Sequence, residues 1–187
     1  MPQGPPQQIL LIRHAEKPST LGPTSGVTED GRLDPHALVP RGWQRAGALA
    51  HFFCGAEGDI GKPTHLFAPP ASGKTGDHGR PNQTITPLAA KLGIAIEAGY
   101  VLDAERDLVA AVLRCDGVVL IAWEHKRIPR IANAILGDAT TAPQEWPQER
   151  FDLIWMFDID PASGRYRFLQ RPQLVLGGDS SEVVTFG

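Results

Sequence analysis

The sequence has few of the residues that mark disulfide scaffolds, metal clusters or membrane spans. Its two cysteines, Cys54 and Cys115, form neither a CxxC pair nor a metal-ligand pattern. We therefore expect free thiols, with Cys115 buried at the end of a helix. No apolar run approaches about 18 residues, and the N-terminal residues lack the basic and apolar regions of a signal peptide. These absences predict a protein without a membrane span, located in the cytoplasm.

Neither sign of charge dominates. There are 18 Lys and Arg against 21 Asp and Glu, which gives a formal net charge of −3. We therefore expect neither nucleic acid nor an anionic membrane as a partner. Any anion site must be a local feature. The length of 187 residues suits one domain spanning 1–187.

Strand and helix patterns alternate along the chain. Apolar runs predict six strands, at 9–12, 64–68, 94–96, 118–123, 151–160 and 165–170. Apolar residues at steps of three and four predict four helices, at 42–53, 81–92, 104–115 and 127–136. This order predicts an α/β protein, a three-layer α/β/α sandwich whose central sheet is mostly parallel. The last two strands flank "PASG" and predict an antiparallel C-terminal hairpin.

Turn residues and caps predict where some of these elements end. Gly93 is expected to stop the second helix, and Asp103 is a plausible N-cap of the third. Two long segments, 17–41 and 69–80, are rich in Pro, Gly, Ser and Thr. Loops of this length are usually functional, so we expect both to wall a ligand site.

Two of the predicted strands end in a charged residue followed by histidine. Arg13-His14 ends the first strand, and Glu124-His125 ends the fourth. Ligands bind beyond the carboxyl ends of strands in parallel sheets, so we expect the two pairs to converge. Arg80 precedes a predicted helix start, where backbone N–H groups and a guanidinium attract phosphate.

Two other kinds of site, a metal site and a nucleotide-binding loop, have partial support in the sequence. His14, Glu16, Glu124 and His125 include enough donors for a metal-dependent hydrolase, but there is no HExxH motif or Cys/His cluster. Segment 68–75, "APPASGKT", is similar to a P-loop, yet "GDHGRP" follows it where a helix should begin. We therefore expect neither a bound metal nor a nucleotide cofactor.

Four motifs together resemble the histidine phosphatase superfamily, which has the phosphoglycerate mutase-like fold. They are, in chain order, "LLIRHAEK", "LVPRGWQRAGALAHFF", "RPNQTITPLAAKLGI" and "VVLIAWEH". The resemblance implies a phosphatase that acts on a phosphate ester or phosphoramidate, in a small substrate or a phosphoprotein. It implies that His14 is the nucleophile and forms a phosphohistidine. It also implies that Arg13, Arg80 and His125 hold the phosphoryl oxygens, without a metal or cofactor.

The sequence departs from the pattern of the superfamily at several positions. Ala15 stands where glycine is commoner, and Lys126 follows the second histidine. Many members use a carboxylic acid to protonate the leaving group, and Asp103 is the nearest match by position. The alternatives are Glu124, Glu105, Asp107 and Glu16. Without such an acid, the resemblance favours good leaving groups such as phosphohistidine. A non-catalytic phosphoryl-binding module on the same fold is the main rival.

Overall fold

The fold was analysed in a computed structural model that describes residues 4–19, 25–55, 58–71 and 79–185. The elements within these ranges, in chain order, are β1 Gln8–Arg13, α1 Pro40–Gly55, β2 His65–Phe67, α2 Gly79–Leu92, β3 Ile96–Glu97, α3 Glu105–Val112, β4 Val118–Trp123, α4 Ile128–Leu136, β5 Leu153–Ile159 and β6 Tyr166–Pro172. Each predicted strand and helix is confirmed in kind, with shifted ends. Parts of the two predicted loops, at 20–24 and 72–78, lie outside the described residues.

The six strands form one mixed sheet in the order β3-β2-β4-β1-β5-β6. Strands β3, β2, β4 and β1 are parallel, whereas β5 is antiparallel to β1 and β6 is antiparallel to β5. The mostly parallel sheet with an antiparallel C-terminal hairpin at one edge is therefore confirmed.

Alternate residues of β1 pack into two separate hydrophobic cores. Leu10 and Ile12 contact the core under α1 and α2, whereas Ile9 and Leu11 contact the core under α3 and α4. All four side chains are fully buried. Strand side chains alternate between faces, so β1 must be apolar throughout when helices cover both faces. The three-layer α/β/α sandwich is confirmed.

The register of the parallel strands brings the predicted site residues to one edge of the sheet. Arg13 at the end of β1 pairs with Trp123 at the end of β4, and Phe67 at the end of β2 pairs with Ile121. The residues that follow these three strands therefore emerge together. Gly93, directly after α2, has a left-handed φ of 68° and ends this helix as predicted.

Two local predictions are wrong. Asp103 does not cap α3, because the N-cap is Ala104, which makes no side-chain capping bond. Instead, Asp103 has a left-handed φ of 76°. It forms ion pairs with Arg127, directly before α4, and with Arg130 within α4. Cys115 is a free thiol, but it is half-buried rather than buried. Within the described residues, no helix is both long enough and apolar enough to cross a membrane.

Candidate active site

A cavity of about 470 Å³ opens at the carboxyl edge of β1, β2 and β4. Its described lining residues are His14, Lys17, Pro18, Pro69, Arg80, Pro81, Leu102, Glu124, Lys126 and Arg127. The structure thus brings His14 and Arg80 to one cavity, although 66 positions separate them in the chain. Arg13 and His125 are not among these described lining residues.

His14 follows β1 directly and is held by backbone contacts on both sides. Its N–H donates to the carbonyl of Trp123 at 3.2 Å, which continues the pairing of β1 with β4. Its ring nitrogen Nδ1 lies 2.7 Å from the carbonyl oxygen of Ala15. A carbonyl only accepts hydrogen bonds, so Nδ1 must carry the proton. The neutral ring therefore keeps an unprotonated Nε2.

The surroundings of His14 disfavour its protonated form. Burial is the largest cause, and the charges of Arg13, Arg80 and Lys17 add to it, so the pKa of His14 falls to about 3. The hydrogen bond to Ala15 opposes this shift only in part. At neutral pH the ring is an uncharged nitrogen base, as attack on phosphorus requires.

Thr84 fixes the segment after His14 against α2. Its hydroxyl accepts a hydrogen bond from the N–H of Ala15 at 2.8 Å and donates to the carbonyl of Arg80 at 2.7 Å. Thr84 is fully buried, and its bond to Ala15 is shielded from water. The first turn of α2, with Arg80, is thereby tied to the nucleophile.

Arg80 lies in the first turn of α2, because this helix begins at Gly79, two residues before the predicted start. Its Nη2 donates to the carbonyl of Pro35 at 2.9 Å, and its Nε lies 3.4 Å from the carbonyl of Ala37. These bonds hold the guanidinium across the loop that precedes α1. Arg80 therefore presents a fixed positive charge at the N-terminus of a helix, where anions bind favourably.

Arg13 is not among the described residues that line the cavity, and its guanidinium packs on Phe151. Its Cζ lies 3.9 Å from the ring centroid of Phe151, and its Nη1 donates to the carbonyl of Gln148. Adjacent residues of a strand face opposite sides, which places Arg13 with Leu11 on the α3/α4 face. Within the described part of the chain, its Nε and Nη2 have no hydrogen-bond partner. Burial lowers the pKa of Arg13 to about 10, so the side chain is charged at neutral pH.

His125 and Glu124 follow β4, and Glu124 is the member of the pair that lines the cavity. Glu124 Oε1 lies 2.9 Å from Nδ1 of His125, a distance that allows an ion pair when the imidazole is protonated. Nδ1 of His125 has no other hydrogen-bond partner within the described residues. Burial raises the pKa of Glu124, but His125 and the N–H of Lys126 outweigh it, and the net shift is downward.

The five carboxylates considered as proton donors lie in different places. Asp103 is exposed and paired with Arg127, and Asp107 is exposed on α3. Glu105 is buried, and its Oε1 accepts hydrogen bonds from Trp123 Nε1 at 3.3 Å and from the N–H of Asp103 at 3.1 Å. Among the described residues, Glu124 supplies the one carboxylate of the five that lines the cavity of His14.

Glu16 belongs to a buried ion network. Arg45 of α1 donates to Glu16 at 2.8 Å and to Asp179 at 2.7 Å, and its side chain is 2% exposed. The loop carrying Glu16 packs closely on Gly42, where a Cβ atom would lie 2.5 Å from the carbonyl oxygen of Glu16. Glu16 therefore anchors α1 beneath the site.

Sequence reasoning missed three cations of the lining, namely Lys17, Lys126 and Arg127. The signal was present, because Lys17 lies three residues after His14, and "EHKR" continues directly from the end of β4. Ligands bind beyond the carboxyl ends of parallel strands, so the residues that follow the two histidines could also have been expected in the site. Among the described residues, no group of three or more His, Cys, Asp or Glu side chains is arranged to hold a metal ion.

Comparisons with known proteins detect similarity in structure but not in sequence. No family model matches the chain, and no curated protein matches it. The protein histidine phosphatase SixA, solved with tungstate, aligns with a TM-score of 0.52 and 15% identity over 89% of this chain and 97% of its own. A phosphoserine phosphatase variant from Entamoeba histolytica, in complex with phosphoserine, aligns with a TM-score of 0.53 and 13% identity, covering 86% and 94% of the two chains.

A third solved structure extends the comparison. The mycobacterial glucosyl-3-phosphoglycerate phosphatase, in complex with VO3, aligns with a TM-score of 0.52 and 13% identity over 88% of this chain and 97% of its own. Identities this low carry information about the fold alone. The chain therefore has the same overall fold as these three phosphatases, an α/β/α sandwich around one mixed sheet.

Proposed function

We propose that this protein is a phosphatase that cleaves a phosphate ester or phosphoramidate through a phosphohistidine at His14. The observation that carries the proposal is the state of that imidazole. It is neutral because its pKa lies near 3, and its Nδ1 is held by the carbonyl of Ala15 at the wall of a cavity. An unprotonated Nε2 in a fixed orientation is a nucleophile prepared for attack.

The reaction proceeds in two displacements. Nε2 of His14 forms a bond to phosphorus while the bond from phosphorus to the leaving group breaks, and the leaving group takes up a proton from water. A water molecule then attacks phosphorus while the bond from Nε2 to phosphorus breaks. The proton that this water loses passes to solvent, inorganic phosphate departs and the neutral imidazole is restored. Dividing one hard displacement into two easier steps is the usual benefit of covalent catalysis.

Arg80, Arg13 and His125 are proposed to stabilise charge on the phosphoryl oxygens. Arg80 supports this role most directly, because it lines the cavity at the N-terminus of α2. The buried nitrogen atoms Nε and Nη2 of Arg13 have no hydrogen-bond partner among the described residues, and a phosphoryl group on His14 would offer acceptors. Fixed donors aimed at the equatorial oxygens are the main protein contribution to phosphoryl transfer.

The described lining favours substrates with good leaving groups. Glu124 is its one carboxylate, and the lowered pKa of Glu124 keeps that group ionised at neutral pH. An ionised carboxylate cannot donate the proton that an alkoxide leaving group needs. We therefore rank phosphoramidates and aryl or acyl phosphates above alkyl phosphates. SixA, one of the structural neighbours, is a protein histidine phosphatase.

Turnover measured with and without EDTA tests the proposal against its two rivals. We expect phosphate release from an aryl phosphate and from a phosphohistidine peptide, unchanged by the chelator. Loss of turnover on adding EDTA would instead support the metal-dependent hydrolase built on His14, His125 and nearby carboxylates. Binding of phosphate without any turnover would support the non-catalytic module.

Vanadate binding tests the role of Arg80 separately. We expect Arg80→Ala to weaken vanadate affinity at least about tenfold, which corresponds to about 1.4 kcal/mol for a charge-assisted contact. Arg32→Ala is the matched control, because the Arg32 side chain is 82% exposed and lies outside the cavity lining. Equal loss of affinity in both variants would show that Arg80 acts only through the overall charge of the protein.

A further inference from the structure

Phe151 packs against two of the residues that are proposed to act in catalysis. It lies in the segment that joins α4 to β5, two residues before β5 begins. The Cζ atom of Arg13 lies 3.9 Å from the centroid of the Phe151 ring. The imidazole centroid of His14 lies 6.0 Å from the same point, with an angle of 53° between the two rings. Phe151 is not among the described residues that line the cavity, so these two neighbours connect it to the reaction.

The guanidinium of Arg13 is held on one face and at one nitrogen atom. The ring of Phe151 covers the face, and Nη1 donates to the carbonyl of Gln148 and, at 3.4 Å, to the carbonyl of Arg150. The electron-rich face of an aromatic ring attracts a guanidinium through a cation–π interaction. Phe151 and two carbonyls of the segment before it therefore supply partial negative charge around a side chain that is only 1% exposed.

The opposite edge of the same guanidinium is left for an anion. Nε and Nη2 are buried and have no hydrogen-bond partner among the described residues. These two atoms can donate in parallel from one edge of the planar group, and that edge matches two oxygens of a phosphoryl group. Stacking on Phe151 fixes the plane of the guanidinium, and the bonds from Nη1 fix its rotation within that plane. Together these contacts determine the direction of the unpartnered edge.

The ring of Phe151 is itself held in place by its two neighbours in the chain. The carbonyl of Arg150 accepts a hydrogen bond from Trp146 Nε1 at 2.8 Å, and Nε of Arg150 donates to Asp152 at 2.6 Å. Asp152 is buried, and its second carboxylate oxygen accepts from the N–H of Ser180 at 2.7 Å. Anchors on both sides leave the ring of Phe151 little freedom, which suits it to support a charged side chain.

We propose that Phe151 is a positioning residue of the phosphatase, whose ring holds the guanidinium of Arg13 so that Nε and Nη2 meet the phosphoryl oxygens. This inference rests on the proposed function, because it takes Arg13 as a ligand of those oxygens. It assigns the orientation of Arg13 to an aromatic side chain that acts through Arg13 and not on the substrate.

A double-mutant cycle on vanadate affinity tests whether Phe151 acts through Arg13. Phe151→Leu keeps an apolar side chain but removes the ring. We expect it to weaken vanadate binding about tenfold in the wild-type background, because the guanidinium loses its support. Arg13→Met alone should weaken binding at least as much. In the Arg13→Met background, Phe151→Leu should change the affinity less than about twofold, because no guanidinium remains to be held.

Two further variants serve as controls for the loss of the ring. Phe151→Tyr retains the aromatic face, so we expect a vanadate affinity within about twofold of the wild type. Phe52 of α1 is half-buried like Phe151 and packs on Phe53, with 5.2 Å between the ring centroids. Its core lies on the face of the sheet opposite Arg13, so Phe52→Leu should keep the wild-type affinity. Equal losses in Phe151→Tyr and Phe151→Leu would overturn the role of the aromatic face.

A resonance of the wild-type protein provides a test that does not depend on whether a variant at position 151 folds. The Nε–H signal of Arg13 is identified in the ¹H–¹⁵N spectrum by its absence from Arg13→Met. We expect this signal upfield of the other arginine Nε–H signals, because the stacked ring shields it, and we expect it to move when vanadate is added. A signal at the usual arginine position that vanadate leaves unchanged would overturn the inference.

The outcomes separate this inference from the proposed function. Equal losses of affinity from Phe151→Leu with and without Arg13 would overturn the inference and leave the phosphatase standing. Unchanged vanadate affinity in Arg13→Met would overturn the inference and the role of Arg13, but not the role of His14 as nucleophile. Absence of both vanadate binding and turnover in the wild-type protein would overturn the proposed function, and the inference with it.

Discussion

Replacing His14 should make the stability of the protein less sensitive to acid. In the folded protein, burial and the charge of Arg13 lower the pKa of His14 from its ordinary 6.5 to about 3. The unfolded chain takes up this proton near pH 6.5, whereas the folded protein resists it until about pH 3. Between these values the unfolded state binds more protons, so the free energy of unfolding falls as the pH falls.

The size of the effect follows from the two pKa values. Each unit of separation is worth about 1.4 kcal/mol, and between pH 7 and pH 5 most of the unfolded chains become protonated at this position. Integrating over that interval gives a loss of about 2 kcal/mol that is due to His14 alone. His14→Asn retains an amide donor toward the carbonyl of Ala15 but has no titrating group, so it should avoid this loss.

Urea unfolding at pH 7 and pH 5, followed by the fluorescence of the four tryptophans, measures the difference. Other titrating groups are shared by the wild type and the variant and cancel in the comparison. His51→Asn, which removes an exposed imidazole of α1, sets the baseline for losing any histidine. Equal acid sensitivity in the wild type and His14→Asn would refute a buried, neutral His14.

Two further predictions concern the framework beneath the site. Arg45→Met should lower the free energy of unfolding by about 3–5 kcal/mol in urea titrations, because it leaves the buried carboxylate of Asp179 without a cation and Glu16 with Arg41 alone. Arg41→Met, at a side chain that is 47% exposed, should cost less than about 1 kcal/mol, and a similar cost for both would contradict the network. Thr84→Val should lower the free energy of unfolding by about 1–3 kcal/mol and reduce kcat, because the buried N–H of Ala15 loses its acceptor. Unchanged stability and kcat would show that this bond does not position the site.

The fold could be predicted from the sequence because its pattern is strong and local. The apolar run of β1 stops at Arg13, and the equally apolar β4 stops at Trp123, so both strand ends were visible without a structure. Parallel pairing then requires the residues that follow to meet at one edge. The meeting of His14 with the neighbourhood of Arg80 is a consequence of this topology, which the alternation of strands and helices already predicts.

The direction of individual side chains could not be predicted in the same way. Arg13 packs on Phe151 and donates to the carbonyl of Gln148, which lies 135 positions away in the chain. No local pattern links two such segments, because their contact depends on how β5 and the preceding loop pack against the sheet. The phosphate-binding role of Arg13 therefore stays a prediction.

The positions of the candidate proton donors could not be predicted from the sequence either. Asp103 has the sequence context of a helix cap, yet its left-handed backbone and its pairing with Arg127 and Arg130 depend on the packing of α3 against α4. Glu16 and Glu124 each follow a strand end and look alike in sequence. The packing of α1 pairs Glu16 with Arg45 and leaves Glu124 at the cavity.

Trapping the covalent intermediate tests the central claim most directly. The protein is mixed with a ³²P-labelled aryl phosphate, quenched in alkali within one turnover and digested, and the labelled peptide is identified by mass spectrometry. We expect an acid-labile, alkali-stable phosphohistidine at His14, and no label in His14→Asn. Turnover of the substrate with label at another residue, or with no label at any time point, would contradict the proposed mechanism.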